Sequence, residues 1–182
     1  IGGPAMHTNL LSRHMQRLGY ETLLVAGKVG PHEGDMIYLA QTQGVEPFIV
    51  SQMCWKLSPA ADLVAFFRIL RLIFTFRPDI LETHTAKAGT LGRSAALIYN
   101  LIQSLKSRVQ SLSKKHRGMI MANSELLMRA SRCKTVHTFH GHAFRGYFSP
   151  FKSKIFQIVE KILARITDAI VVVSEQQKEE LC

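Results

Sequence analysis

Apolar positions along the chain follow two patterns: short uninterrupted runs, and longer stretches in which they recur every three or four residues. Runs at 22–26, 80–83, 134–139 and 169–173 predict strands, with a short one at Phe48, Ile49 and Val50. The first of these, uninterrupted by polar residues and ended by Gly27, suits a strand buried on both faces. Helical spacing follows Gly2, Gly3 and Pro4, with a stripe at His7, Leu10, Leu11, His14 and Leu18; Pro4 suits the first helical position and Gly19 the C-terminal cap. From Pro59 a helix is predicted to about Phe76, with Leu63, Phe66, Phe67, Leu70, Ile73 and Phe74 facing a core and Arg68, Arg71 and Arg77 off that face. Further helices are predicted from about 90 to 105 or beyond, from Ser124 to Ala130, with Ile155, Ile158, Val159, Ile162, Leu163 and Ile166 inward, and from Ser174 and Glu175 onward. Residues 28–47, rich in glycine and proline, read as loop.

Strands alternating with amphipathic helices predict an α/β fold, a parallel sheet with helices on both faces. In such sheets ligands sit outside the carboxyl ends of the strands. The turns that fall there are Gly2 and Gly3, residues 84–89, residues 140–142, and Ser174 with Glu175, and they are expected to form one site. Gly2 and Gly3 fit either an anion site, with backbone N–H groups and a helix N-terminus aimed at a phosphate, or a plain tight turn. Lys87 is placed to meet an anionic group, and His84 either to hydrogen-bond a substrate or to hold its turn. Gly141 after His140 suits a backbone that approaches a ligand closely, with the imidazole at the strand's end. A metal reading of His137, His140 and His142 meets a geometric objection, since His137 and His140 lie on opposite faces of a strand. With no Asp-x-Asp pair either, no metal or other cofactor is expected. Glu175 reads as support for a helix cap.

A chain of 182 residues, 47% apolar and 20% charged, fits one ordinary domain. Its net charge of +10 has two readings, an affinity for anionic partners or a surface kept soluble by charge. Cys54, Cys133 and Cys182 are odd in number and in no ligand spacing, which predicts a reduced, cytoplasmic setting and not a disulfide framework. The most apolar stretch, 63–76, is too short to span a bilayer and carries Arg68 and Arg71. The chain starts without an initiator methionine or signal sequence, as an internal fragment would. Residues 102–133 differ from the rest: Leu101, Leu105, Val109 and Leu112 keep helical spacing beside Lys106, Arg108, Lys114, Lys115, His116 and Arg117. That basic amphipathic pattern fits peripheral contact with an anionic membrane through 102–117, or a solvated helix extension broken at Gly118.

The segments IGGPAMH, LVAGKVG, RPDILETHTAKAGTLGR, VHTFHGHAFRGYFSP and TDAIVVVSEQQ, in this order, resemble the N-terminal domain of family four glycosyltransferases. The resemblance spans nearly the whole chain except about 102–133. It implies a Rossmann-like parallel sheet with helices on both faces, the N-terminal, acceptor-side half of a two-domain GT-B enzyme that transfers a sugar from a nucleotide-sugar donor to a sugar, lipid-linked or glycan acceptor with retention of configuration. It further implies that Gly2, Gly3 and Gly141 approach the donor, that His140 sits beside the transferred sugar and donates to it, and that His84 and Lys87 face the acceptor. Relative to that pattern most of the first strand and the nucleotide-binding domain are lacking, so the fragment alone is expected to be inactive. Helix N-termini and basic side chains can hold a departing diphosphate without a metal. The carboxylate pair about 5 Å apart that serves retaining glycosidases is not seen.

Two other readings stand beside this one. A nucleotide-sugar epimerase shares the two-domain architecture. A non-enzymatic basic module would bind membrane or nucleic acid through 102–133, although no interleaved aromatic platform supports nucleic acid, and none is expected as a partner. A dehydrogenase is disfavoured because Gly2, Gly3 and Pro4 do not continue as the dinucleotide fingerprint.

Overall fold

A computed structural model of the chain describes residues 2–30, 34–54, 56–116, 132–140 and 150–181. It has two compact units, Ile1–Arg68 and Ile69–Cys182, with the boundary inside a long helix. In the first unit helix α1 (Gly3–Arg17) leads to strand β1 (Val25–Gly27), helix α2 (Ile37–Thr42) and strand β2 (Phe48–Val50). The two strands pair in parallel, Val25 opposite Phe48 and Gly27 opposite Val50. β1 therefore starts at Val25, not Thr22, and α2 occupies a stretch that reads as loop. Its start is marked by Asp35, whose Oδ1 accepts the Ile37 N–H at 2.9 Å.

Helix α1 closes as its glycine predicts. Gly19, at φ 88°, lets its own N–H reach Gln16 O and that of Tyr20 reach Met15 O, each at 3.0 Å. The predicted stripe is not buried, however: Leu10 and Leu18 are 52% and 60% exposed, and the buried residue is Asn9. Within this unit α1 packs on α2, a helix of 6 residues that is too short to cover the stripe of one with 15.

Helix α3 (Pro59–Phe76) has the bounds the sequence predicts. Asp62 reaches back to the Ser58 N–H at its start, and Arg77, at φ 54° before Pro78, ends it. The buried line runs through Ala65, Ile69 and Ile73, while Leu63 and Phe67, predicted inside, are each 57% exposed. This helix carries apolar residues around more of its circumference than one face can bury.

The second unit continues through β3 (Ile80–His84), α4 (Ala86–His116), β4 (Lys134–Phe139), α5 (Pro150–Ala164), β5 (Ala169–Val172) and α6 (Glu175–Leu181). Its strands form a parallel sheet in the order β3-β4-β5, with His84 opposite Thr138 and Phe139 opposite Val172. The expected parallel α/β architecture is thus present, as two sheets, one in each unit. Helix α4 lies directly on β3 and β4, because a Cβ at Gly89 would come within 2.5 Å of the His137 ring and one at Gly92 within 2.7 Å of Thr83 Cγ2. The core gathers Ala95, Ala96 and Tyr99 of α4, Phe139 of β4 and Leu163 of α5.

Arg93 of α4 and Glu160 of α5 meet inside this core. The guanidinium Nη2 donates to both carboxylate oxygens at 2.8 and 2.7 Å, with the two side chains 0% and 5% exposed. This pair explains a correction to the predicted packing of α5. Ile155, Ile158 and Ile162, expected inward, are 47%, 52% and 55% exposed, because they lie on the side of the helix opposite Glu160 at about 100° per residue. Turning the isoleucines inward would carry the carboxylate into water and leave Arg93 buried without its counter-charge.

Helix α4 begins at Ala86, so Lys87 and Gly89 sit in its first turn and not in the loop before it. It runs unbroken to His116; the predicted break at Gly118 and the helix at 124–130 lie outside the described residues. Near its middle, Asn100 clasps the approach to β4, donating from Nδ2 to Cys133 O at 2.8 Å and accepting the Cys133 N–H at 2.9 Å. The chain on either side of the interval is thereby already joined. Deleting residues 106–130 leaves a short connection of ordinary length. The variant is expected to unfold cooperatively with a melting temperature close to that of the parent, and aggregation or a broad transition would place the segment in the core.

Candidate functional site

Parallel register brings the carboxyl ends of β3 and β4 together, and alternation along each strand sends successive side chains to opposite faces. On one face the Thr138 hydroxyl donates to Glu82 Oε1 at 2.9 Å, and the same oxygen lies 3.6 Å from His84 Nε2. His84 Nδ1 in turn lies 2.9 Å from His140 Nε2, the rings 5.1 Å apart and tilted by 40°. One of those two nitrogens must donate and the other accept. Carboxylate, imidazole and imidazole thus stand in series at the sheet edge. The turn that follows His84 is made by Thr85 at φ 66°, a left-handed conformation that is costly for a β-branched residue, and the Thr85 carbonyl accepts the Gly89 N–H at 2.8 Å to open α4.

The other face of the same strands is dry. His137 is fully buried, packs its ring edge-on against Phe139 with centroids 4.5 Å apart, and has Nδ1 2.9 Å from the Thr83 hydroxyl. Thr83 Oγ1 is also 3.2 Å from the Val136 carbonyl, to which only the hydroxyl can donate, so the hydrogen between Thr83 and His137 belongs on Nδ1. Nε2 is then a bare acceptor, without a partner among the described residues. Burial, reinforced by the positive charge of Arg93, pushes the His137 pKa down to about 3. This histidine is neutral at ordinary pH.

Of the residues singled out by sequence, His84 and His140 are brought into contact, while His137 lies on the opposite face from both. Lys87 is half-buried as the second residue of α4, a helix with no acidic residue in its first turn. Gly141 and His142 lie outside the described residues. Gly2 and Gly3 belong to the first unit, where Gly2, at φ 91°, precedes α1 in a conformation only glycine adopts readily. Ser174 ends the chain segment after β5 as a cap: its hydroxyl accepts the Gln177 N–H at 3.3 Å, and Gln177 Oε1 accepts the Val173 N–H at 3.2 Å. The capping support expected of Glu175 comes from Gln177, and Glu175 pairs instead with Lys178 at 2.7 Å on the surface.

Sequence reading passed over Glu82, Thr83, Arg93, Glu160 and Asp168. Glu82 and His84 were recoverable as an i, i+2 pair on one strand face. Asp168 works at the opposite end of the sheet, accepting the Thr135 N–H and hydroxyl at 2.9 and 3.1 Å and pairing with Arg132 at 2.8 Å. Burial opposes its charge, but these Thr135 and Arg132 contacts outweigh it and hold the carboxyl below its usual range. Cys133 is buried, which pushes its thiol up to about 11 and keeps it protonated and unreactive.

A family model described as a glycosyl transferase 4-like domain matches residues 2–181. Comparison with curated proteins and with solved structures gave no match.

The buried neutral histidine has a measurable consequence. Below about 6.5 the unfolded chain binds a proton at His137 that the folded chain refuses until pH falls to about 3, so His137 contributes stability above that window that is lost as pH falls through it. A His137→Asn variant, which offers an amide in place of Nδ1 and does not titrate, is expected to lose less stability between those pH values in urea titrations than the parent. Parallel curves would show that His137 is not held neutral by the fold.

Proposed function

The chain belongs to the family of glycosyl transferase 4-like domains, and from that premise we propose that it serves a retaining transfer of a sugar from a nucleotide-sugar donor to an acceptor in cell-envelope polysaccharide, glycolipid or related glycan synthesis. The observation that carries this reading is the contact between His84 and His140 at the carboxyl ends of adjacent parallel strands. There the rings are fixed by neighbours before any ligand arrives, which is what a donor aimed at developing charge requires. In this reading His140 donates to the transferred sugar, and His84 and Lys87 face the acceptor. Gly2 and Gly3 meet the donor, for which the N-terminus of α1 supplies backbone N–H groups suited to a diphosphate. No catalytic metal enters this scheme, since helix N-termini and basic side chains neutralise the departing phosphates.

A specific observation favours peripheral membrane contact for the acceptor side of this chemistry. Leu101, Leu105 and Val109, one turn apart along α4, are 54%, 60% and 65% exposed beside Lys106 and Arg108. Among the described residues no helix is long and apolar enough to cross a membrane, so the contact proposed is with an anionic surface.

Release of nucleoside diphosphate from a panel of nucleotide sugars by the full-length protein, with lipid and glycan acceptors, tests the reading, and no release from any donor overturns it. Activity is expected to survive a divalent-ion chelator; loss restored by magnesium or manganese would reject the metal-free scheme. His140→Ala is expected to lower kcat by roughly tenfold to a thousandfold with little change in melting temperature, the scale for one preorganised donor. Normal turnover in that variant would remove His140 from the site.

A further inference from the structure

Glu82 has no part in the scheme above, yet it stands on the same strand face as His84, two residues earlier on β3. That face is turned away from α4, since Thr83, between them, is the residue that meets Gly92 of the helix. One carboxylate oxygen, Oε1, accepts from the hydroxyl of the fully buried Thr138 at 2.9 Å. The other accepts no hydrogen bond among the described residues and is not sealed from solvent, the side chain being 28% exposed. No lysine or arginine among the described residues neutralises it: the ion pairs of this unit join Arg93 to Glu160, Arg132 to Asp168 and Lys178 to Glu175. Glu82 is thus a carboxylate fixed through one oxygen and open at the other. A ligand that closes over the open oxygen must bring an O–H or N–H of its own, or it leaves a charge without a hydrogen-bond partner.

We propose that Glu82 selects the acceptor: its open oxygen accepts a hydrogen bond from a hydroxyl beside the one that is glycosylated, so the acceptor ends in a sugar and not in a lone alcohol. This rests on the reading given above, in which the His84 face of β3 meets the acceptor. The preference follows from the carboxylate alone, which accepts and never donates, whatever hydrogens the neighbouring imidazoles carry. Thr138 makes the contact selective, because a carboxylate held at one position cannot swing away from an acceptor that lacks the hydroxyl. A site built around such a contact discriminates by the group it leaves unpaired when the wrong molecule binds.

The full-length protein, assayed with the octyl glycosides of glucose, galactose, mannose and N-acetylglucosamine, with their monodeoxy analogues, and with octanol, which has the same chain and a single hydroxyl, tests the proposal. The parent is expected to use an octyl glycoside, to reject octanol, and to lose about tenfold to a hundredfold in kcat/KM on one deoxy analogue, the scale for a hydrogen bond to a charged group. In Glu82→Leu that penalty is expected to disappear, because both acceptors then meet the same apolar side chain. A role confined to holding Thr138 would lower both rates together and leave their ratio intact. Should the leucine variant fail to fold, Glu82→Gln, which keeps an oxygen for Thr138 but loses the charge, carries the test with a smaller fall in the ratio. An unchanged ratio in a folded variant, or octanol used as well as the glycosides, overturns the proposal. A parent that transfers no sugar to any acceptor overturns the transferase reading instead. Saturation-transfer NMR with the octyl glycosides then still decides the role of Glu82: binding by the parent that Glu82→Leu or Glu82→Gln weakens upholds it, and equal binding or none overturns it.

Discussion

The second unit depends on one buried ion pair. Removing Arg93 and Glu160 from water costs several kcal/mol for each ion, and their contact, from Nη2 to both carboxylate oxygens, offsets that cost without adding much net stability. Its effect is on arrangement. Once α4 carries a guanidinium into the core, α5 must present its carboxylate there, and the isoleucines on the far side of α5 are left outside. Arg93 also donates from Nε to the Gly89 carbonyl at 3.0 Å, so the same side chain braces the turn of α4 that lies against His137. From that turn the order propagates to Thr83, to the register of β3 on β4, and so to the strand ends where His84 and His140 meet.

Two histidines three positions apart on one segment are given opposite characters by the two faces of a single sheet. His137 lies under α4, where burial and then the nearby Arg93 guanidinium favour an uncharged ring and outweigh its hydrogen bond with Thr83. His140 lies at the edge, in a row that begins with a carboxylate. The sheet separates a structural imidazole from one available for chemistry by no more than the alternation of its side chains.

Much of this was legible in the residues. Strand β4 and helix α3 have the bounds read from the sequence, because a six-residue run rich in β-branched and aromatic residues and an eighteen-residue apolar stripe between prolines leave few alternatives. The meeting of His84 with His140 follows from placing both at carboxyl ends of parallel strands. What could not be read was pairwise and distant. Arg93 and Glu160 are 67 residues apart, and nothing local in α5 says that its single inward charge outranks three isoleucines. Helix α2 was hidden by its glycine-rich surroundings, and the early start of α4 by reading residues 84–89 as one turn when Thr85 alone makes it.

Thr85 sets local stability against local placement. A threonine held at φ 66° stores free energy of about 1–3 kcal/mol, and glycine or asparagine at the same position would release it. The strained residue also aims the end of β3, so relaxing it would let the His84 ring wander from His140. Selection for a more robust protein and selection for a better-aimed imidazole therefore pull this one position in opposite directions. A strand end under tension is where a domain of this kind can exchange durability for activity through a single backbone angle.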